Sequence, residues 1–523
     1  MSNQYDEPTR IFPKGRATYA SDDRQIVPVA IIACHPDPNR LGEFCVLDGV
    51  MQFAEQELNR HTPEFHSAAS SIGVGLGVPQ VSRKAMRLER VGKLDIMLHR
   101  QAYSAAVSVN QVELDERVLI TEAQLQQGVE LCLGEHVMIL LKAMQMPNIV
   151  HHDLGLVGIS AAMQDVRERI NKVAPADEPV LIRGATGCGK ELVAQAIYHQ
   201  SGRQKQPFVA VNIAALQPSL AVSELFGATK GAYTGATADR DGLFQAANTG
   251  TLFLDEIGEA SQEVQAMLLR ALETHQVVPV GATQASDVDV RIIAATDANL
   301  EQQGEGSFKQ PLLHRLSSYQ IFLPPLRERR EDIPSLLRLF MRSHWEKTSG
   351  QAELPIDVAS PWLHNTTVRQ LLEAEWPGNV RQLRNVTRQM LFDSTPGMPL
   401  RLEQQLLGML KNDAPVAQAT APLPEANVRK RKPSQISRDE LVLALRRHRY
   451  ELQATADDLG ISRASVYQLI ERHPELKHTA DLTDDELTHC YHEFNGDLER
   501  MMEHLEVSQI GLRRRLRAMG LDA

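Results

Sequence analysis

Gly184, Gly187, Gly189 and Lys190 sit in the run Gly184-Ala185-Thr186-Gly187-Cys188-Gly189-Lys190, the spacing of a phosphate-binding loop. Glycines let successive backbone N–H groups turn inward on a phosphate chain. A helix starting behind them adds its positive end, and Lys190 can reach the β- and γ-phosphates of a nucleotide. Such a run can also be a plain structural turn, so partner acids decide the matter. They appear in Thr251-Leu252-Phe253-Leu254-Asp255-Glu256. Asp255 is placed to hold Mg²⁺ and Glu256 to orient or deprotonate the water that attacks the γ-phosphate, a reaction that depends mainly on positioning and charge stabilisation. One departure stands out: the usual Ser or Thr after the lysine is Glu191. The hydroxyl that normally binds Mg²⁺ is absent, so the metal has to be held through water or by acids elsewhere.

These residues need a scaffold. Val180–Arg183 reads as a buried strand leading into the loop, and a helical pattern follows from Glu191 to Ile197. Thr251–Leu254 reads as a buried parallel strand that delivers the acids to its C-terminal edge, where open α/β sheets bind ligands. Phe208–Ile213, Val290–Ala295 and Tyr319–Leu323 are further strands alternating with helices, which predicts a doubly wound α/β domain followed by a helical lid from Arg330. The 523 residues allow three or four domains, each able to bury a core. A net charge of −11 argues against nonspecific coating of nucleic acid, although a local basic face remains compatible with it. The five cysteines are scattered without a CxxC pair, which suits a reducing compartment and suggests no zinc site. The N-terminus MSNQYDEPTR has no apolar signal core, and no apolar run approaches a membrane span. The expected location is the cytoplasm.

Residues 1–25 are polar and read as a loose tail. From 26 to 145, short apolar segments separated by turns (Val27–Ala33, Glu43–Leu47, Ile96–Leu98, Ala106–Val109, Val129–Leu133, Val137–Leu141) predict a small β-sandwich. This segment resembles a forkhead-associated domain, a module that in its intact form binds phosphothreonine peptides. Ser82-Arg83 and Asn110 match part of the binding set. Glu43 follows Gly42 where the resemblance calls for arginine, Met86 stands near the place of a histidine, and Gln111 follows Asn110 in place of glycine. Without the arginine a phosphate loses its main charge-assisted partner. The segment is therefore open to a phosphothreonine ligand, a protein ligand or a sensing role.

Glu224-Leu225-Phe226-Gly227 and Lys230-Gly231-Ala232-Tyr233-Thr234-Gly235-Ala236 resemble the GAFTGA loop block of the sigma-54-dependent transcriptional activators, which belong to the AAA+ ATPases. Tyr233 replaces the usual phenylalanine. Glycines at both ends allow a mobile hairpin, and an aromatic beside a threonine at its tip suits an exposed contact. The resemblance implies that Gly231, Ala232, Tyr233, Thr234, Gly235 and Ala236 touch sigma-54. It also implies that Asn212 holds the catalytic glutamate until ATP is engaged, that Thr296-Asp297 is the first sensor in place of Thr-Asn, and that Arg381 in Trp376-Pro377-Gly378-Asn379-Val380-Arg381 reaches the nucleotide from the lid. Lys309 and Arg315 fall where two arginines serve the neighbouring subunit's nucleotide. The planar fork of Arg315 suits a dispersed phosphate charge better than an ammonium does, so Arg315 is the expected finger and Lys309 its weaker assistant. A finger acting in trans implies a ring, expected to be a hexamer.

Residues 155–325 are thus the AAA+ core, 326–410 the lid and 411–435 a Pro/Ala-rich tether ending in the basic run Arg429–Lys432. A shift of 46 residues then superposes two copies of one pattern. Ile436–Leu441 falls over Leu482–Leu487, Leu459 over Leu505, Ser462 over Ser508 and Ile470 over Leu516. Each copy opens with a capping box, Ser437…Glu440 or Thr483…Glu486, and reads as helix, turn, helix, which makes residues 436–476 and 481–521 an all-α tandem helix-turn-helix. Both copies resemble the Fis-type domain that ends these activators, normally present once. From Arg429 to the end there are 16 Lys/Arg against 17 Asp/Glu, so the unit is not basic as a whole. Arg463, Ser465 and Arg472 in the first copy, and Arg513, Arg514 and Arg517 in the second, are the candidate DNA contacts.

The expected protein is an ATP-hydrolysing, Mg²⁺-dependent activator that binds upstream promoter DNA and remodels the closed complex of sigma-54 RNA polymerase. The alternative is a DNA-binding regulator or repressor whose ATPase serves only as an assembly switch.

Overall fold

The computed structural model describes residues 26–67, 72–84, 86–100, 106–147, 154–217, 219–232, 238–301, 308–356, 361–394 and 398–403, and from 406 onward separate residues and three helices. It separates into two compact units, 1–416 and 417–523.

The first unit begins with two antiparallel sheets. One is ordered β2-β1-β10-β9-β6-β7, from Phe44–Val46, Ile26–Cys34, Met138–Gln145, Val129–Leu133, Val107–Val109 and Val112–Glu113. The other is ordered β3-β4-β5-β8, from Glu55–Leu58, Met86–Arg90, Ile96–Arg100 and Arg117–Ile120. Alternate residues of the two sheets share one apolar core, with Ala30, Ile32, Leu131 and Ile139 meeting Leu58, Leu88, Leu98 and Ile120. The six strands expected from apolar alternation all form. The strands at Glu55, Met86, Val112 and Arg117, and the helices Asp48–Phe53 (α1) and Glu122–Gln127 (α2), were not anticipated, because charged residues interrupt their apolar pattern.

Strand β1 is buried on both faces. Ala30 and Ile32 look into the shared core, while Val27, Val29, Ile31, Ala33 and Cys34 join a second cluster. That second cluster continues without a break into a helical lid made of α9 (Ile333–Ser349), α10 (Asn365–Glu373) and α11 (Asn379–Asp393). Leu336, Leu337, Met341, Val368, Leu371 and Trp376 belong to it. At roughly 1.5–3 kcal/mol for each fully buried aliphatic or aromatic side chain, this shared core holds the sheets on the lid far more firmly than a tether could. Polar contacts set the register. The Asn39 amide donates to the Leu354 carbonyl at 2.9 Å, the Asn365 amide donates to Gly134 O at 3.0 Å, and Arg369 pairs with Glu130 at 2.6 Å.

Between sheets and lid in the chain lies the α/β domain. Its parallel sheet is ordered β12-β13-β16-β11-β17, from Phe208–Asn212, Thr251–Asp255, Arg291–Thr296, Val180–Arg183 and Tyr319–Phe322. All five expected strands form, within two residues of the predicted ends. Helices α3 (Ala161–Val173), α4 (Lys190–His199) and α7 (Gln262–Thr274) follow the same alternating order.

Asp332 ties this domain to the lid. Its carboxylate is fully buried and accepts the Ile159 and Ser160 N–H groups at 2.7 and 2.9 Å and the Ser160 hydroxyl at 2.7 Å. Burial, then the neighbouring Glu331, push its carboxyl from the ordinary 3.8 up to about 6, against the pull of Arg329. Between those two values the folded protein keeps a proton that the unfolded chain has released. Stability therefore falls as pH rises from about 4 to about 6 and is level above that. Asp332→Asn is expected to remove this slope, as measured by urea unfolding across that pH range.

In the second unit the structure describes helices Arg438–Arg447, Asp484–Glu493 and Leu498–Leu505. Leu487, Cys490, Met501, Leu512 and Leu516 form a small core. The 46-residue shift carries the buried Leu441, Ala444 and Thr455 of the first copy onto the buried Leu487, Cys490 and Met501 of the second. The inward positions therefore repeat in register. Among the described residues, no helix is long and apolar enough to cross a membrane.

Candidate nucleotide-binding site

The phosphate loop lies between the end of β11 and the start of α4, as its sequence requires. Gly187 adopts φ +80°, a left-handed conformation that favours glycine, and a Cβ there would lie 2.3 Å from the Gly378 carbonyl of the lid. The loop and lid are thus in backbone contact, which also joins the Arg381 N–H to the Gly187 carbonyl at 3.2 Å. Gly189 precedes α4 at φ +107°, and Gly184 packs against Leu323. Lys190 is buried, with its ammonium donating to Gly184 O at 3.1 Å and to Glu256 Oε1 at 3.4 Å. Glu191 is exposed and accepts from Gln195, on the helix surface away from these contacts.

Strand β13 brings Asp255 and Glu256 to the same edge. Glu256 is a non-glycine residue at φ +52°, the kind of strained backbone that persists when its surroundings hold it for a purpose. Partial burial raises its carboxyl, Lys190 lowers it, and Asp297 and then Asp255 raise it again. A carboxylate at this edge, with its proton affinity raised, is placed to accept a proton from water. The Asn212 amide lies 3.4 Å from Asp255 Oδ2. The expected hold of Asn212 on the glutamate is therefore not what this structure contains: Lys190 holds Glu256, because strand pairing sets Asn212 opposite Asp255.

Thr296 ends β16, buried, and its hydroxyl accepts the Ala298 N–H at 3.0 Å. Next to it, Asp297 accepts the hydroxyl of Thr186 in the phosphate loop. This bond holds the Asp297 carboxyl below the ordinary range. Lys309 stands at the start of α8 (Gln310–Leu316), its N–H bonded to Gln265, and Arg315 is exposed and 3.7 Å from Glu273. Arg315 lines a groove with Asp177, Arg291 and Ser318, and does not line the pocket at its own chain's phosphate loop.

Two residues at the site escaped the sequence reading. Buried Arg329 donates from Nη2 to the Cys188 carbonyl of the loop at 3.2 Å. Asn379, at φ +51°, donates its amide to Thr186 O at 3.0 Å and accepts the Leu326 N–H at 2.8 Å. The charge-dense run Leu326–Asp332 was a signal for the first. Nothing in the type of Asn379 marks it as a bridge.

The loop at 228–240 is pinned at its base. Ala228 pairs with both Arg240 and Val280, and Asp239 accepts the Lys230 N–H at 2.8 Å. Gly231, at φ +82°, and Ala232 begin the excursion, while Tyr233, Thr234, Gly235 and Ala236 lie outside the described residues. Of the candidate DNA contacts, Arg513 is exposed on a helical segment, and Arg463, Ser465, Arg472, Arg514 and Arg517 lie outside the described residues.

A family model described as the sigma-54 interaction domain matches residues 156–322, and one described as an AAA+ ATPase lid domain matches residues 327–404. The transcriptional regulatory protein ZraR of Klebsiella oxytoca is 38% identical over 323 residues, covering 61% of this chain and 69% of ZraR. The chain belongs to the transcriptional regulators that carry a sigma-54 interaction domain. The DNA-binding transcriptional regulator NtrC of Escherichia coli (strain K12) is 48% identical to this regulator over 234 residues, 45% of this chain and 48% of NtrC. The chain thus spans about half the length of that relative. A crystal structure of NtrX from Brucella abortus in complex with ATP aligns over 61% of this regulator and 68% of NtrX, at 33% identity and a TM-score of 0.43. In this regulator the matched sigma-54 interaction domain contains both the phosphate loop and the pinned loop at 228–240.

Proposed function

We propose that the protein is an ATP-driven transcriptional activator that uses hydrolysis to move the Gly231–Ala236 loop against sigma-54 in a closed promoter complex. The observation that carries this reading is the meeting of Lys190, Glu256 and Asp255 at one edge of the parallel sheet, with the lid bonded to the phosphate loop through Asn379 and Arg381. Lys190, already inside the loop, binds the β- and γ-phosphates. Glu256 then exchanges Lys190 for a water molecule and takes its proton as the water attacks the γ-phosphorus, the bond from that phosphorus to the β-phosphate oxygen breaks, and ADP and phosphate leave. The oxygen donors of Asp255 fit Mg²⁺, which prefers carboxylate and water ligands and would neutralise phosphate charge there. Arg315, exposed on α8, is free of its own chain's phosphate loop and suited to a neighbour's nucleotide in a ring.

The tandem helix-turn-helix copies bind upstream DNA in this reading, through Arg513 and the other candidate arginines. The forkhead-associated-like sheets act as a regulatory part of the lid. Three observations argue against a phosphothreonine ligand at the expected turn. Gly42 is packed on Ser335 of the lid, Glu43 pairs with Arg40 at 2.8 Å, and Met86 is buried in the core.

Thr234→Ala is expected to abolish activation at a sigma-54-dependent promoter in purified transcription while ATP turnover stays near the parent's. Full activation by this variant would overturn the loop's role. The assembly-switch reading draws on the Asp297–Thr186 bond. Turnover that rises with protein concentration supports the motor, and nucleotide binding without turnover supports the switch.

A further inference from the structure

Asp297 closes the phosphate loop from the strand side. Its carboxylate takes the Thr186 hydroxyl, and it lies near enough to Lys190 and Glu256 to influence both. With Gly184, Ala185, Thr296 and Asn299 it lines the open pocket at the loop's mouth. Lys190 and Glu256 are the groups that a γ-phosphate would meet, so Asp297 stands beside the same position. An amide there could donate a hydrogen bond to phosphate oxygen, whereas an ionised carboxylate can only accept. It also sets a negative charge against the anionic end of a triphosphate, at the exposed mouth of the loop. A diphosphate ends one phosphate short of that charge.

We propose that Asp297 is a specificity-determining residue that selects against the γ-phosphate, holding the nucleotide site in favour of ADP. This rests on the nucleotide-site reading above. The carboxylate engages the Thr186 hydroxyl, and a triphosphate has to displace that bond and approach the charge together. ADP meets neither cost in full. The resting protein is then biased toward its diphosphate form, and loading ATP becomes the step at which assembly or cation binding acts.

The test measures affinities of the full chain for ADP and for adenylyl imidodiphosphate, at fixed excess Mg²⁺, by displacement of a fluorescent ADP analogue. The parent, Asp297→Asn and Asp297→Ala are compared. The Asn variant is expected to raise the ratio of triphosphate to diphosphate affinity by about tenfold or more, with ADP affinity little changed. The Ala variant is expected to show a smaller rise from loss of charge alone. A ratio within about twofold of the parent's in both variants, with both nucleotides still bound, overturns the role of Asp297 alone. Binding of neither nucleotide by the parent overturns the site assignment, and this proposal with it.

Discussion

Glu256→Gln should lower ATP turnover by about 10²–10⁴-fold, the range expected when a positioned general base is lost, while nucleotide binding persists. The glutamine keeps the length and carbonyl oxygen of the original side chain, so it still accepts from Lys190, which lies 3.4 Å from Glu256. It cannot take a proton from water. The left-handed backbone at φ +52° and the carboxyl raised by partial burial belong to a residue held for that purpose. Steady-state phosphate release and nucleotide affinity together provide the check. Turnover at the parent's rate would remove Glu256 from the mechanism. The swap also deletes a charge beside Asp255 and Asp297, so ATP should bind at least as tightly as to the parent.

Lys142→Ala should destabilise the first unit by about 3–5 kcal/mol, because it strands a buried acid. Lys142 Nζ lies 2.6 Å from Glu331 Oε2, and the two side chains are 16% and 5% exposed. The pair joins strand β10 of the sheets to the first turn of the lid. Glu331 also neighbours Asp332, whose carboxyl it already pushes upward. Without the ammonium, two adjacent acids share a dehydrated site. Denaturant unfolding of the parent and variant measures the loss, and Lys142→Ala combined with Glu331→Gln should recover a large part of it. A single variant as stable as the parent would show that the sheets are not anchored to the lid through this pair. The shared core suggests a further consequence: sheets and lid should unfold in one transition.

Much of the site was legible in the chain. Glycines at 184, 187 and 189 with Lys190, and the acids after Thr251–Leu254, specify a phosphate loop and its partners because the backbone geometry they need is local. The strands around them were equally readable, since strands buried on both faces are continuously apolar. The repeat at the C-terminus was visible for a related reason: residues 46 apart face inward in both copies.

Long-range partnerships were not legible. Whether Asn212 meets Asp255 or Glu256 depends on strand register, and Arg329 and Asn379 reach the phosphate loop from 141 and 193 residues away. The apolar residues of β1 at odd positions looked like those of an ordinary strand, yet they cover the lid. Local residue chemistry by itself determined that this protein has a phosphate loop, a pair of acids and, in sequence, an aromatic and a threonine between two glycines at 231–235. Only the tertiary structure decided that the N-terminal sheets are built into the lid and that Asp297 bears on the phosphate loop, since those contacts depend on packing between segments far apart in the chain.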